Sequence, residues 1–387
     1  VVVDETAAQD NAGAAVPVRL TELRLVDFRN YAGLRLDLTG RFVVLCGENG
    51  AGKTNLLEAV SLLSPGRGLR RAAYPEMARG GASGFAVRAG VEGAAGPVAL
   101  ATTVRADAET GSFARQVKID ETPARTADEL LDHLRILWLT PAMDGLFTGP
   151  AGDRRRFLDR LVLTIDPAHG RRAADYERAM RSRNRLLADG CRDERWLEGI
   201  EAQMAELGIA MALARRELTG LLRAIVDAAD DTPFPKADLV LSSGLGEDAL
   251  DRPAADMEDA LRLSLARSRF ADAAAGRSLE GPHRADLAVF HRAKAMPAAL
   301  SSTGEQKALL IGLILAHASL VSSMGGATPV LLLDEIAAHL DAGRRAALFD
   351  LIDGLGVQSF LTGTDPNLFE ALGSRAQHLT IRSGTLA

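Results

Sequence analysis

With 387 residues and 47% hydrophobic content, the chain can fill a sizeable core spread over two or three structural lobes. A formal net charge of −6 excludes a globally basic nucleic-acid or membrane-surface protein, so any DNA contact has to rest on a local positive face. Its two cysteines, Cys46 and Cys191, are too few for a disulfide scaffold or a cysteine-rich zinc site and fit a reducing compartment.

Residues 1–17 mix small residues with Asp4, Glu5 and Asp10 and lack a secretory signal's basic start and apolar run, which predicts a flexible leader. No later stretch reads as an uninterrupted apolar run of about 20 residues, so a soluble cytoplasmic protein with no membrane partner is expected. Alternation predicts strands over 18–26 and 34–38, with Phe28, Arg29, Asn30 and Tyr31 in the turn between them. Residues 41–46 have the profile of a strand buried on both faces, ended by Gly47. Leu56, Leu57, Val60 and Leu63 fall at helical spacing over 55–63, and Pro65-Gly66 closes that helix. From 85 to 119, short alternations broken by glycines and acidic turns predict antiparallel strands. Residues 130–139 mix helix and strand patterns before turn formers introduce Arg154-Arg155-Arg156.

From 156 to 228 the pattern is almost wholly helical, with a reversal at 189–193. A short antiparallel coiled coil and a compact helical lobe both fit, because the heptads are few and imperfect. Strands are predicted over 239–243, 286–290, 329–333 and 357–361, and helices over 256–274, 305–320 and 342–352. The division this suggests is a leader at 1–17, a first part of an α/β unit at 18–155, a helical lobe with a short strand at 156–275, and the second part of the unit at 276–387.

Gly47-Glu48-Asn49-Gly50-Ala51-Gly52-Lys53-Thr54 matches the full phosphate-loop pattern, after a strand and before a helix. Glycines let the backbone curl around phosphate, and its amides meet negative oxygen together with the helix terminus. Lys53 is the group to reach the β and γ phosphates of ATP, and the Thr54 hydroxyl is a magnesium ligand. Asn49, Gly50, Gly52 and Asn55 complete the candidate nucleotide contacts. Residues 330–333 form an apolar strand ending in Asp334-Glu335, where Asp334 can hold Mg2+ and Glu335 can polarise the attacking water. Seven scattered histidines form no zinc constellation, and His283 reads as either a hydrogen-bonding loop residue or a catalytic base.

Between Arg154 and Arg195, twelve arginines stand against seven acids. Arg171, Arg172, Arg178, Arg181, Arg183 and Arg185 recur through a helical segment, either as phosphate contacts or as a solvated face paired with Asp175 and Glu177. Arg70, Arg71 and Arg115 are further candidates for DNA. No aromatic ladder suggests base stacking, which favours a double-stranded or junction backbone surface.

Ser301-Ser302-Thr303-Gly304-Glu305-Gln306-Lys307, upstream of the acidic strand, resembles the signature loop of ABC-type ATPases, and His339-Leu340-Asp341 stands where that family has its D-loop. With the phosphate loop, this order resembles SMC-like ATPase heads, and residues 25–31, 154–159, 281–287 and 302–307 narrow the resemblance to the RecF family of recombination mediators. The resemblance implies an ABC-type P-loop ATPase head with a mixed β-sheet core, an antiparallel β subdomain and an inserted helical lobe. It also implies an ATP-dependent homodimer in which Ser302, Gly304 and Gln306 cap the nucleotide of the other copy. Further implications are binding of double-stranded and gapped or junction DNA, and work with RecR, RecO and RecA; Arg70, Arg71, Arg171, Arg172, Arg181 and Arg185 are the DNA candidates. This chain departs from the family pattern at Ala285, where an acid is common. Thr362-Gly363-Thr364, in the switch region where many ABC ATPases place histidine, implies weak hydrolysis.

Overall fold

The computed structural model describes residues 16–386 apart from 108, 192, 247–251 and 326. The expected leader therefore falls outside the described residues except for Val16 and Pro17. The chain divides into two compact units, one built from residues up to Pro141 together with His317 onward, the other from Ala142–Ala316. The helical lobe expected at 156–275 lies inside the second unit.

The first unit opens with β1 (Arg19–Phe28) and β2 (Tyr31–Asp37), then β3 (Phe42–Cys46), α1 (Lys53–Ser61) and the short α2 (Tyr74–Met77). It continues through β4 (Gly84–Gly93), β5 (Gly96–Ala106), β6 (Phe113–Ile119), the two-residue β7 (Thr122–Pro123) and β8 (Ile136–Leu139). Strands β2-β1-β4-β5-β6-β7 form an antiparallel sheet. Leu20, Leu23, Leu25 and Phe28 of β1 are buried, and Phe28 meets Phe85 of β4 edge to face at 5.2 Å.

In the second unit, α3 (Ala151–Leu163), α4 (His169–Ala188) and α5 (Glu194–Ala228) follow, with the reversal where the turn formers predict it. Leu197, Met204, Met211 and Leu218 of α5 are buried at intervals of seven, the period of a coiled-coil seam. The companion seam positions Glu201 and Arg215 are also buried, so charge interrupts the apolar repeat that sequence inspection looks for. Next come β9 (Ala237–Ser242), α6 (Ala254–Ala275), β10 (Asp286–His291) and β11 (Met296–Pro297). The helices close on Tyr176, Met204, Ile209, Leu261 and Leu265, while β11-β10-β9 make a small antiparallel sheet.

Helix α7 (Thr303–Gly325) crosses from the second unit into the first. It corrects one expectation: Thr303–Met324 is by composition long and apolar enough to span a bilayer, and 61% of its most apolar window is buried in the protein. Being apolar all round is how a core helix differs from an amphipathic surface helix. The first unit is then completed by β12 (Val330–Leu333), α8 (Ala342–Gly354), β13 (Ser359–Gly363), β14 (Ala376–Arg382) and β15 (Thr385–Leu386). Its second sheet runs β15-β14-β3-β13-β12-β8, parallel from β14 to β8 with β15 antiparallel at the edge. Every residue of β3, β12, β13 and β8 is buried, as a parallel sheet covered on both faces requires. The buried Gln358 amide clips the two sheets together, accepting from the Leu20 N–H at 2.7 Å and donating to the Leu20 carbonyl at 3.0 Å.

Candidate functional site

Loop 47–52 carries the chain from β3 into α1 at the carboxyl edge of the parallel sheet. Gly52 is the helix N-cap with φ 117°, and a Cβ there would lie 2.6 Å from Asn30 Nδ2 and 2.7 Å from the Tyr31 hydroxyl. No side chain caps α1 and no acid sits in its first turn, which leaves the terminal amides to meet an anion. Lys53 is 4% exposed, and its Nζ donates to the carbonyls of Gly47 at 2.7 Å and Glu48 at 2.9 Å. The ammonium is thus laid along the loop, with Asn49 and Gly50 exposed at the tip. A cleft of about 660 Å³ is lined by residues 46–51 together with Thr364, Arg382 and Ser383, a size that suits a nucleotide.

Strand β12, threaded between β13 and β8, delivers Asp334 to the same edge. Thr54 Oγ1 donates to Asp334 Oδ1 at 2.9 Å, and Thr362 Oγ1 donates to the same oxygen at 2.8 Å. Burial pushes the Asp334 carboxyl above the usual carboxylate range and the Glu335 charge adds to this, against the two threonine donors. Glu335 has the left-handed φ of 52°, rare for a residue with a side chain, and its N–H donates to Thr362 Oγ1 at 2.8 Å. One hydroxyl therefore ties the Asp334 carboxylate to the Glu335 backbone. Among the described residues no three His, Cys, Asp or Glu converge to hold a metal. The Thr54 and Asp334 oxygens are the pair that would hold Mg2+, a hard cation that prefers oxygen ligands.

The turn from β1 to β2 braces α1, a role that the sequence reading does not assign. Arg29 donates to both oxygens of the fully buried Glu58 at 2.8 Å each. Asn30 Nδ2 donates to the Ala51 carbonyl at 3.0 Å, and the Tyr31 hydroxyl to the Gly52 carbonyl at 2.9 Å. Asn55 lies between Asn30, to which it donates at 2.8 Å, and Arg70, from which it accepts at 2.7 Å. Arg70 also reaches Glu58 at 3.1 Å, and its charge acts on Asp334, which places this DNA candidate next to the phosphate loop. Arg71 is exposed with φ 57°. Arg115 is corrected as a surface candidate: it donates to the Leu62, Ser64 and Gly66 carbonyls and braces the chain after α1.

In the second unit, Ser302 and Glu305 form a reciprocal cap at the start of α7, with Ser302 N–H to Glu305 Oε2 at 3.1 Å and Glu305 N–H to Ser302 Oγ at 3.4 Å. Lys294 and these Ser302 donors hold the Glu305 carboxyl down at about 2. Ser302, Thr303 and Gly304 are exposed, and nothing lies within 4 Å of a Cβ built on Gly304. Gln306 is buried and spends its amide on the carbonyls of Ser301 at 2.8 Å and Ala299 at 3.3 Å. In the first unit, Asp341 caps α8 by accepting from the Arg344 N–H at 2.9 Å.

Along α4, Arg171, Arg181 and Arg185 are exposed, whereas Arg172 is half-buried and ion-paired with Asp166. Arg183 corrects the surface reading outright. It is fully buried, bonded to Glu201 at 3.0 Å, Asp272 at 2.6 Å and the Leu265 carbonyl at 2.6 Å. Arg215 likewise holds Asp159 and the Pro282 carbonyl. His283 uses both ring nitrogens: Nε2 donates to the Ser278 carbonyl at 3.0 Å, and Nδ1 accepts from the Tyr176 hydroxyl at 3.0 Å. Burial, with the Arg284 and Arg155 charges, keeps it below its ordinary value, so it is a neutral hydrogen-bonding loop residue. Ala285 is buried with its carbonyl on Arg155 at 2.7 Å, and Asp286 pairs with Arg154 through bonds of 2.7 and 2.9 Å.

The RecF/RecN/SMC N terminal domain family matches residues 19–385. A DNA replication and repair protein RecF from Rhizobium etli (strain CFN 42) is 63% identical over 369 residues, 95% of this chain and 98% of that protein. The namesake from Rhizobium meliloti (strain 1021) is 61% identical over 372 residues, 96% of this chain and 99% of that one. Among solved structures, the recombination mediator protein RecF with ATP in the RecFOR pathway superposes with a TM-score of 0.83 at 23% identity, covering 97% of this chain and 98% of that chain. An Smc head domain from Pyrococcus furiosus, bound to the C-terminal domain of ScpA, gives 0.53 at 16% identity, covering 95% of each chain. The ABC-type ATPase head fold expected from the phosphate loop, acidic strand and signature loop is the fold found, and this chain belongs to the RecF family of DNA replication and repair proteins.

Proposed function

We propose that this protein is an ATP-dependent, DNA-binding recombination mediator that dimerises on ATP, hydrolyses it slowly, and acts with RecO and RecR to load RecA at gapped or junction DNA in the cytoplasm. The carrying observation is the 2.9 Å hydrogen bond from Thr54 to Asp334, which couples the phosphate-loop helix to the acidic strand across 280 residues of sequence. In this reading the amides of loop 47–52, with Asn49, Gly50 and Gly52 at its turns, cradle the phosphates of ATP, and Lys53 turns its Nζ to the β and γ phosphates. Thr54 and Asp334 hold Mg2+, which when bound offsets phosphate charge. Glu335 polarises a water that attacks the γ phosphorus while the bond to the β,γ-bridging oxygen breaks, giving ADP and phosphate. Asn55 sets the loop's flank.

Ser302 and Gly304 act on the nucleotide of a second copy, supported by their exposure at the amino end of α7. Gln306 serves that contact by fixing residues 299–301. Arg71, Arg171, Arg181 and Arg185 supply DNA phosphate contacts; Arg70, paired with Glu58, and Arg172, paired with Asp166, stand apart from those contacts. ATP turnover with and without gapped DNA tests the reading: Lys53→Met should lose ATP binding, and Glu335→Gln should bind ATP without turnover. Full turnover in Glu335→Gln, or no response to DNA under any condition, would contradict it.

A further inference from the structure

A cleft of about 900 Å³ lies in the helical unit against α4 and α5. Four arginines line it, Arg171, Arg178, Arg181 and Arg185, against one carboxylate, Asp175. All four fall on one face of α4, and the stripe from the first to the last is about 21 Å long, enough to follow several successive phosphates of one strand. Their ion pairs are exposed: Arg171 and Arg178 share Asp175, and Arg181 meets Glu177 at 3.6 Å. Such pairs are worth about 0–1 kcal/mol and exchange readily for phosphate. Trp196, on α5, closes the same cleft and is 57% exposed, an unusual state for a residue with so much apolar surface.

We propose that this cleft is a subsite for an unpaired nucleobase, stacked on the Trp196 indole while the arginine stripe carries the phosphates that lead up to it. The proposal rests on the DNA-binding reading above and specifies its ligand. Bases inside a duplex are already stacked on their neighbours, so an indole at the end of a phosphate-binding stripe selects a single-stranded tail or gap edge over continuous duplex. Besides the four guanidinium groups and the indole, the cleft is lined by Ala179, Leu186 and Ile200, apolar surface on which the face of a base can rest. An acidic helix is the other ligand of arginine-rich grooves, and the test separates the two.

The test uses the full chain with ATP at one fixed salt concentration. It compares a blunt duplex with the same duplex carrying a six-nucleotide single-stranded tail, for the native protein, Trp196→Leu and Trp196→Phe. Native protein should prefer the tailed duplex. Trp196→Leu should lose that preference, weakening tailed binding about fivefold to hundredfold while leaving the blunt duplex unchanged; Trp196→Phe should keep most of it. The tail should quench the native protein's indole emission but not that of Trp196→Phe, since Trp138 is only 7% exposed. An unchanged preference in Trp196→Leu would overturn the subsite. So would quenching by an oligoglutamate peptide and not by the tail, which would point to an acidic protein segment. Native protein that binds neither duplex would overturn the DNA-binding reading itself.

Discussion

Thr362→Val tests the coupling at the centre of the site. The substitution keeps the shape of the side chain and deletes two hydrogen bonds: the donation to Asp334 Oδ1 at 2.8 Å and the acceptance from the Glu335 N–H at 2.8 Å. A buried hydrogen bond to a charged group contributes about 1.5–3 kcal/mol and a neutral one about 1 kcal/mol, so the loss is about 3 kcal/mol. For a unit of this size that corresponds to a thermal midpoint lower by about 6–12 °C. The Asp334 carboxyl, already raised by burial, loses one of the two donors that oppose the rise and moves further up. Its ionised form is thus less stable in the variant, so this share of the deficit is full above the variant's raised pKa. It disappears as pH falls below the native one, because protonated Asp334 no longer needs the donor. Glu335, whose left-handed backbone loses the hydrogen bond from its N–H to Thr362, is held less firmly, and ATP turnover should fall about tenfold to hundredfold. Thr362→Ser should restore both properties. Thermal unfolding across pH and steady-state turnover read the effect; native stability and turnover in Thr362→Val would refute the reasoning.

Asp334→Asn removes a buried carboxylate whose pKa is raised, while its side-chain oxygen still accepts from both threonines. Calorimetry of the nucleotide-free protein at neutral pH should give a thermal midpoint equal to or above native, the difference vanishing as pH falls through the raised pKa; magnesium and ATP should no longer raise it. Arg183→Met leaves Asp272 buried without its cation, whereas Glu201 keeps Arg269 at 2.6 Å. Denaturant unfolding should show a loss of about 3–5 kcal/mol, with Arg269→Met, at the less buried partner, costing less.

The phosphate loop and acidic strand were legible because each sits at a switch between periods, apolar strand to glycine loop to helix, or apolar strand to paired acids. Strand β14 was not, since Gln377, His378 and Thr380 leave Ile381 as its one buried apolar residue. The roles of the arginines on α4 were written in the helical period. Arg183 falls on the face of Tyr176 and Ala179, both buried, and Arg172 shares that face one turn before Tyr176, while Arg171, Arg178, Arg181 and Arg185 fall opposite. A charge count could not separate them. The brace by Arg29, Asn30 and Tyr31 was hidden for another reason: it joins a turn to a helix through side chains, and no local pattern encodes such a contact.

The central claim is that each nucleotide site is completed by a second copy, and mixing two inactive variants tests it most directly. Lys53→Met disables the phosphate loop and Gly304→Asp, placed on an exposed backbone with open space around it, disables the signature loop. Each alone should show no turnover. In a mixed dimer one site loses both parts and the other regains both, so an equal mixture should recover about a quarter of native turnover. A mixture as inactive as its components, while native protein hydrolyses ATP, would contradict the account.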